Sequence, residues 1–169
     1  KMQELVLKAS ASTNRLDRLI EDLLNVSRIN LGRLTMMKEP LDFCTILREC
    51  ADQIAHAYPT HKITIDGVDH VPCLLDKARI EQVIINLLNN AVKYSPAASE
   101  IIVSTEVEQQ NIICSIRDFG IGIEPDKLRS LFERFYRVEK EAQSFQGLGL
   151  GLFIASNFVK KHDGTIWVE

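Results

Sequence analysis

No stretch of this chain stays apolar for the roughly 20 residues that a bilayer-spanning helix needs, and nothing near its start has the makeup of a signal peptide. A basic excess is missing too: 20 Lys and Arg are interspersed with 23 Asp and Glu, for a net charge of -3. Such a surface has no stripe able to neutralise a nucleic-acid backbone, so nucleic acid is set aside as a partner. C-x-x-C pairs are also absent, and Cys44, Cys50, Cys73 and Cys114 sit far apart among apolar neighbours. That spacing predicts small buried residues in a reducing compartment rather than disulfides or metal ligands. Internal repeats and low-complexity tracts are lacking. So is an initiating Met: the chain opens in a helical pattern and stops in TIWVE, a strand-like one, which suggests part of a longer protein.

What is present is ordinary globular material, 169 residues of which 46% are hydrophobic and 25% charged, enough for one good core with a smaller appendage. Met2, Leu5, Ala9, Ser12, Leu16, Leu19, Leu23 and Val26 alternate steps of three and four, with Asn30 in register. This heptad predicts a long helix whose seam packs on other helices, ended by Gly32 and then Pro40. LDFCTILRECADQIAHAY reads as a short extended lead-in and an amphipathic helix stopped before Pro59, followed by two strand candidates, KITID and VPCLLD. Between Asp76 and Tyr94, the apolar Ile80, Val83, Ile84, Leu87, Leu88 and Ala91 recur at helical spacing. By the same arithmetic Gln82, Asn86, Asn89, Asn90 and Lys93 line the opposite face. EIIVSTEVE and NIICSIRD, joined by Gln109 and Gln110, predict a β-hairpin. KLRSLFERFY reads as a short helix, VEKEAQSFQ as a mobile loop, and GLGLGLF as the start of a last helix running to about His162. Gly164 then turns the chain into a final strand.

Three features exceed what packing requires. Asn is a poor helix former, and a merely solvated face would favour Glu, Lys or Ala over Asn86, Asn89 and Asn90. Neutral amide oxygens there can supply ligands to a hard cation such as Mg2+ without adding negative charge beside phosphates, with Lys93 one turn on to meet phosphate directly. Asp118 shares a strand face with Ile112, Cys114 and Ile116, so a carboxylate points where apolar side chains point. Buried there it must find a donor, either a structural salt bridge or the exocyclic amine of a flat ring sliding in over Gly120 and Gly122. Finally, three glycines at the start of a helix cost stability yet leave its first N–H groups open to a polyphosphate. Neither familiar phosphate loop, G-x-x-x-x-G-K-[ST] or G-x-G-x-x-G after a strand, is present.

In this order the stretches RIEQVIINLLNNAVKYS, RDFGIGI, LFERFYR and GLGLGL resemble the N, first glycine, F and second glycine boxes of the catalytic ATP-binding domain of sensor histidine kinases. That domain belongs to a superfamily shared with type II topoisomerases, mismatch-repair ATPases and a heat-shock chaperone. The resemblance runs from about Leu41 to the end and implies an α+β fold of the Bergerat type, a two-layer sandwich in which helices cover a mixed, mainly antiparallel sheet. It divides the chain into 1–38, similar to the second helix of the dimerisation and phosphoacceptor hairpin, and 41–169, the ATP-binding domain with its C-terminus cut short. By that likeness the cofactors are ATP and Mg2+. Asn90 is the principal metal ligand with Asn86 assisting, Lys93 holds phosphate, and Tyr94 packs on the adenine. Asp118 receives the adenine amine, Gly120 and Gly122 floor the base pocket, and Gly147, Gly149, Leu150 and Gly151 frame the triphosphate. Phe132 and Phe135 anchor a lid over about 133–147, and Arg137 reaches a phosphate.

His56, His61, His70 and His162 lack the acid and Arg that follow the family's phosphorylated histidine, so surface or packing roles are expected for all four. The likeness therefore implies a kinase module, catalytic through Asn86, Lys93 and Arg137, that passes the γ-phosphoryl to a histidine elsewhere for relay to a response-regulator receiver domain. It also implies a homodimer through the helical hairpin, and a cytoplasmic domain whose longer parent can be anchored at the bacterial inner membrane. Two alternatives stand beside it: an ATPase motor like the topoisomerases and chaperones, and a non-catalytic nucleotide-binding signalling module. The ATPases resemble E-x-x-x-N where this chain has Asn86-Leu-Leu-Asn-Asn90, and an amide cannot take a proton from water as the Glu does.

Overall fold

The computed structural model describes residues 2–137 and 148–169. Its first helix, α1 (Met2–Asn30), ends as Gly32 and Arg33 donate their backbone N–H groups to the carbonyls of Ile29 and Arg28, closing off the last turn. After it come β1 (Glu39–Asp42), α2 (Phe43–Ala57), β2 (Lys62–Gly67), β3 (Pro72–Leu75), α3 (Lys77–Tyr94), β4 (Glu100–Glu108), β5 (Asn111–Asp118) and α4 (Gly151–Lys161). Asp42 caps α2 by accepting from the Thr45 backbone and hydroxyl, and Asp76 caps α3 by accepting from the Arg79 N–H. The Thr45 hydroxyl, with the Val71 N–H and His70, holds the Asp42 carboxyl well below the usual carboxylate range.

β4 lies at the centre of a three-stranded mixed sheet, parallel to β2 and antiparallel to β5, while β1 and β3 form a separate antiparallel pair. KITID and VPCLLD are both strands, as expected, but belong to different sheets. Alternation along β4 buries Ile101 and Val103 against Ile46, Leu47, Cys50 and Ile54 of α2 and Ile80, Ile84, Leu88 and Ala91 of α3. The result is the expected α+β arrangement of helices on a mixed sheet, with a long helix leading in. The four cysteines are free, and burial drives the Cys50 thiol up to about 11 and that of Cys114 up to about 12, keeping both protonated at neutral pH.

A second cluster joins α1 to the rest of the molecule. Val26 of α1 and Leu34 beyond it pack with Val83 of α3 and with Leu150, Ile154, Ala155 and Phe158 at and within α4. Asn25 is fully buried, donating from Nδ2 to Gln82 Oε1 at 3.5 Å and accepting at Oδ1 from Arg79 at 3.3 Å. The Arg79 guanidinium lies 4.9 Å from the centre of the Phe158 ring. The heptad seam is therefore engaged at its C-terminal end, whereas Leu16, Ile20, Leu23 and Leu24 are exposed. Among the described residues no helix is long and apolar enough to cross a membrane.

Asp22, one turn before Val26, has its carboxyl raised above the usual range, chiefly by burial and then by the neighbouring Glu21. A raised carboxyl stabilises the folded chain at low pH, and that stabilisation is lost as pH rises through the elevated value. Asp22→Asn, which removes the ionisation, raises the melting temperature at pH 7.5 by about 1–2 °C, and the gain shrinks as pH falls toward 4. Thermal melts at the two pH values check both halves of the expectation.

Two sequence expectations are corrected. KLRSLFERFY holds a single tight turn, Leu128–Ser130, rather than an α-helix, because its backbone bonds run three residues back: Ser130 to Lys127, Leu131 to Leu128, Glu133 to Ser130. TIWVE forms no strand with any described segment. The chain leaves α4 through Asp163 at φ 64, Gly164 donates back to the Val159 carbonyl, and Ile166 then packs into the second cluster instead of joining a ladder. VEKEAQSFQ, expected as a mobile loop, and Gly147 after it lie outside the described residues.

Candidate functional site

The amide face of α3 is where the two glycine stretches arrive. At one end, Asn86 donates from Nδ2 to the Gly151 carbonyl at 3.2 Å, fixing the start of α4 against α3. At the other, Ile121 donates to the Tyr94 carbonyl at 3.1 Å, drawing the turn after β5 onto the C-terminus of α3. A Cβ on Gly120 would lie 2.0 Å from that carbonyl oxygen, so only glycine lets the chain pass. At 1.5 Å per residue, Asn86 and Tyr94 stand about 12 Å apart along the helix. Asn89, Asn90 and Lys93 lie half-buried between them.

Within this frame the predicted residues differ in their surroundings. The Asn90 amide has no protein partner among the described residues. Lys93 donates from Nζ to the Tyr94 hydroxyl at 3.0 Å and lies 4.6 Å from the centre of its ring. Gln82 stands apart from the site, since it bonds Asn25 in the contact with α1. Among the described residues no cluster of His, Cys, Asp and Glu could hold a metal. The amide oxygens of Asn90 and Asn86 are groups that could ligate a hard divalent cation together with oxygens of its ligand.

Asp118 is a correction. Ile112, Cys114 and Ile116 pack on the first core as the alternation requires, but Asp118 is exposed. It is the last residue of β5, opposite the fully buried Ile101, at the point where the chain turns away toward Tyr94. Its Oδ1 accepts from the Gly120 N–H at 2.9 Å, which fixes the carboxylate beside the glycine turn.

The glycines of the second stretch are not equivalent. Gly149 sits at φ 69, and a Cβ there would lie 2.6 Å from the Tyr136 carbonyl oxygen, so the backbone itself demands glycine. Phe135 donates its N–H to the Gly149 carbonyl at 3.1 Å, and the Arg137 side chain also lies against this glycine. The base of the expected lid is thus tied by Phe135's backbone, while its ring is 59% exposed and Phe132 is half-buried. Leu150 is only 1% exposed and belongs to the second core. Gly151 has no positive φ, and a Cβ there meets Asn86 at 3.6 Å, an ordinary contact. Neither strain nor crowding explains glycine at 151. The N–H groups of 151–153, at the first turn of α4, have no acceptor within the helix. Gly151→Ala should leave the melting temperature unchanged or raise it by about 1–2 °C, since Ala is the better helix former, while weakening nucleotide binding about tenfold. Paired melting and titration measurements read the two effects separately.

The four histidines have structural partners. His162 accepts the Asp76 N–H at Nε2 and donates from Nδ1 to the Phe158 carbonyl, bracing the end of α4 on the start of α3. His56 bonds the Asp52 carbonyl, His61 the Ser95 carbonyl, and His70 lies 3.2 Å from Asp42. Sequence reasoning missed Asn25 and Arg79, although a polar residue next to the apolar seam of a heptad was the available signal for the first.

Residues 75–169, more than half of the chain, match the family model described as histidine kinase-, DNA gyrase B- and HSP90-like ATPase. The chain is 32% identical over 169 residues to the adaptive-response sensory kinase SasA of Trichormus variabilis, covering 98% of this chain and 42% of that protein. It thus spans less than half the length of this curated relative. Among solved structures it is similar to the Acinetobacter baumannii histidine kinase AdeS, with TM-score 0.71, 29% identity and coverage of 88% of this chain and 68% of that one. It is also similar to full-length ShkA in complex with AMPPNP, with TM-score 0.73, 25% identity and coverage of 88% and 31%.

Proposed function

Because this chain belongs to the histidine kinase-, DNA gyrase B- and HSP90-like ATPase family, we propose that it is the ATP-binding module of a two-component sensor histidine kinase. The observation that carries the reading is the convergence of two glycine stretches on one amide-bearing helix face, Gly151 at Asn86 and Gly120 at Tyr94. Adenine lies over the turn at Gly120 and Gly122 with its exocyclic amine donating to Asp118 and its ring against Tyr94. The polyphosphate extends along α3 toward the first-turn N–H groups of α4.

Phosphoryl transfer asks a protein mainly for positioning and charge neutralisation. Lys93 and Arg137 carry the positive charge at the phosphate end. Gly147, Gly149, Leu150 and Gly151 offer backbone N–H groups that compensate charge as it develops on the γ-phosphoryl. Asn90, with Asn86 assisting, holds Mg2+, which when bound neutralises charge on the phosphate oxygens. Phe132 and Phe135 anchor the lid. Asn86 stands where the superfamily's ATPases resemble one another in having a Glu, and its amide cannot accept a proton from water, so a nucleophile better than water is favoured. That nucleophile is a histidine outside this chain, in a protein that dimerises through a helical hairpin and passes the phosphoryl on to the aspartate of a response-regulator receiver domain.

The test is incubation of the complete protein with γ-labelled ATP and Mg2+. Acid-labile, base-stable label on the protein supports the kinase. Released phosphate without labelled protein would favour an ATPase, and tight ATP binding with neither product a non-catalytic module.

A further inference from the structure

We infer that Asn86 acts as a positioning residue through its amide nitrogen, clamping the first turn of α4 in the orientation that presents its N–H groups to the polyphosphate. The inference rests on the kinase reading above and deepens it. Asn86 Nδ2 donates to the Gly151 carbonyl across 65 residues of sequence. That carbonyl belongs to the first residue of α4, so the bond acts on the very peptide group from which the helix starts. Its neighbours pull in different directions. Gly149 at φ 69 bends the chain, and buried Leu150 anchors it in the second core. Gly151 has neither constraint, so rotation of its peptide group is limited by the Asn86 bond and by the onset of the helix, where Ile154 donates to the Leu150 carbonyl at 2.9 Å. Glycine is the residue with most backbone freedom to lose, and an unclamped helix start on glycine frays.

A metal ligand and a clamp need opposite ends of the same amide. An Asp at 86 keeps an oxygen for a cation, loses the N–H donor, and places negative charge against a carbonyl oxygen. Asn86→Asp therefore separates the two roles. With EDTA present, so that nucleotide binds without metal, the clamp predicts that the affinity of the 169-residue chain for ADP falls about tenfold in the variant by calorimetric titration. It also predicts faster deuterium exchange at the amides of Ile154 and Ala155 in the nucleotide-free chain. Asn86→Ala, which removes the donor without adding charge, should do the same. A loss of affinity confined to solutions containing Mg2+, with exchange unchanged, would overturn the clamp and leave Asn86 a metal ligand only. Unchanged affinity and exchange in both variants would overturn it as well. Should the wild-type chain bind no nucleotide, the kinase reading fails; the exchange rates then decide the clamp alone, faster exchange supporting it and unchanged exchange sinking it.

Discussion

Asp118→Asn lowers the affinity of the chain for ATP by about a hundredfold while leaving its melting temperature within about 1 °C of wild type. The first part follows from charge: a hydrogen bond to an ionised group contributes about 1.5–3 kcal/mol, and 1.4 kcal/mol is a factor of ten in affinity. The second follows from exposure, since Asp118 lies at the open end of β5 and packs into no core. The bond it accepts from the Gly120 N–H is kept, because the amide oxygen of Asn accepts as the carboxylate does. The same substitution relaxes base selectivity. A carboxylate can only accept, which suits the amine of adenine and repels the carbonyl that guanine carries at that position; an Asn amide can turn to donate. Titrations with ATP and GTP should show the ratio of their affinities drawing toward one. Unchanged selectivity would remove Asp118 from the base pocket.

Asn90→Asp is expected to slow phosphoryl transfer by a hundredfold or more, again with little change in melting temperature. No described group of the protein bonds the Asn90 amide, so the fold loses no contact when the nitrogen becomes oxygen. What changes is the charge beside the phosphates. At a separation of 4 Å and an effective dielectric constant of about 20, two like charges repel by about 4 kcal/mol, several times the energy that separates tenfold rates. A carboxylate also binds a cation differently from an amide, and small displacements of reacting groups are costly in rate. Label transfer in the complete protein and thermal melts of the chain test the two halves. Parallel losses of rate and stability would mean that Asn90 supports the fold rather than the chemistry.

These residues were legible for different reasons. The amide face of α3 and the hairpin of β4 and β5 declared themselves because each depends on a local period, about 3.6 or 2 residues, that the sequence carries in full. Period gave the face of Asp118 but not its depth, which is set where the strand ends and the chain turns toward Tyr94. The segment around Leu128 has apolar spacing that suits a helix, yet the tie from Phe135 to the Gly149 carbonyl draws its end elsewhere. TIWVE alternates as a strand does, but alternation supplies no partner ladder. The parallel pairing of β2 with β4 and the bond from Asn86 to Gly151 join parts of the chain far apart in sequence, beyond the reach of any local pattern.

The burial of Leu150 beneath Val26 and Leu34 bears on how this molecule can be dissected. A truncation starting at Pro40 would look natural from the motifs, but it would strip one wall from the cluster that seats the glycine stretch and open Ile154 and Phe158 to water. The shortest piece that keeps α4 seated begins inside α1, ahead of Asn25. Deletions that stop short of that residue remove exposed leucines, and those that pass it dismantle the seat.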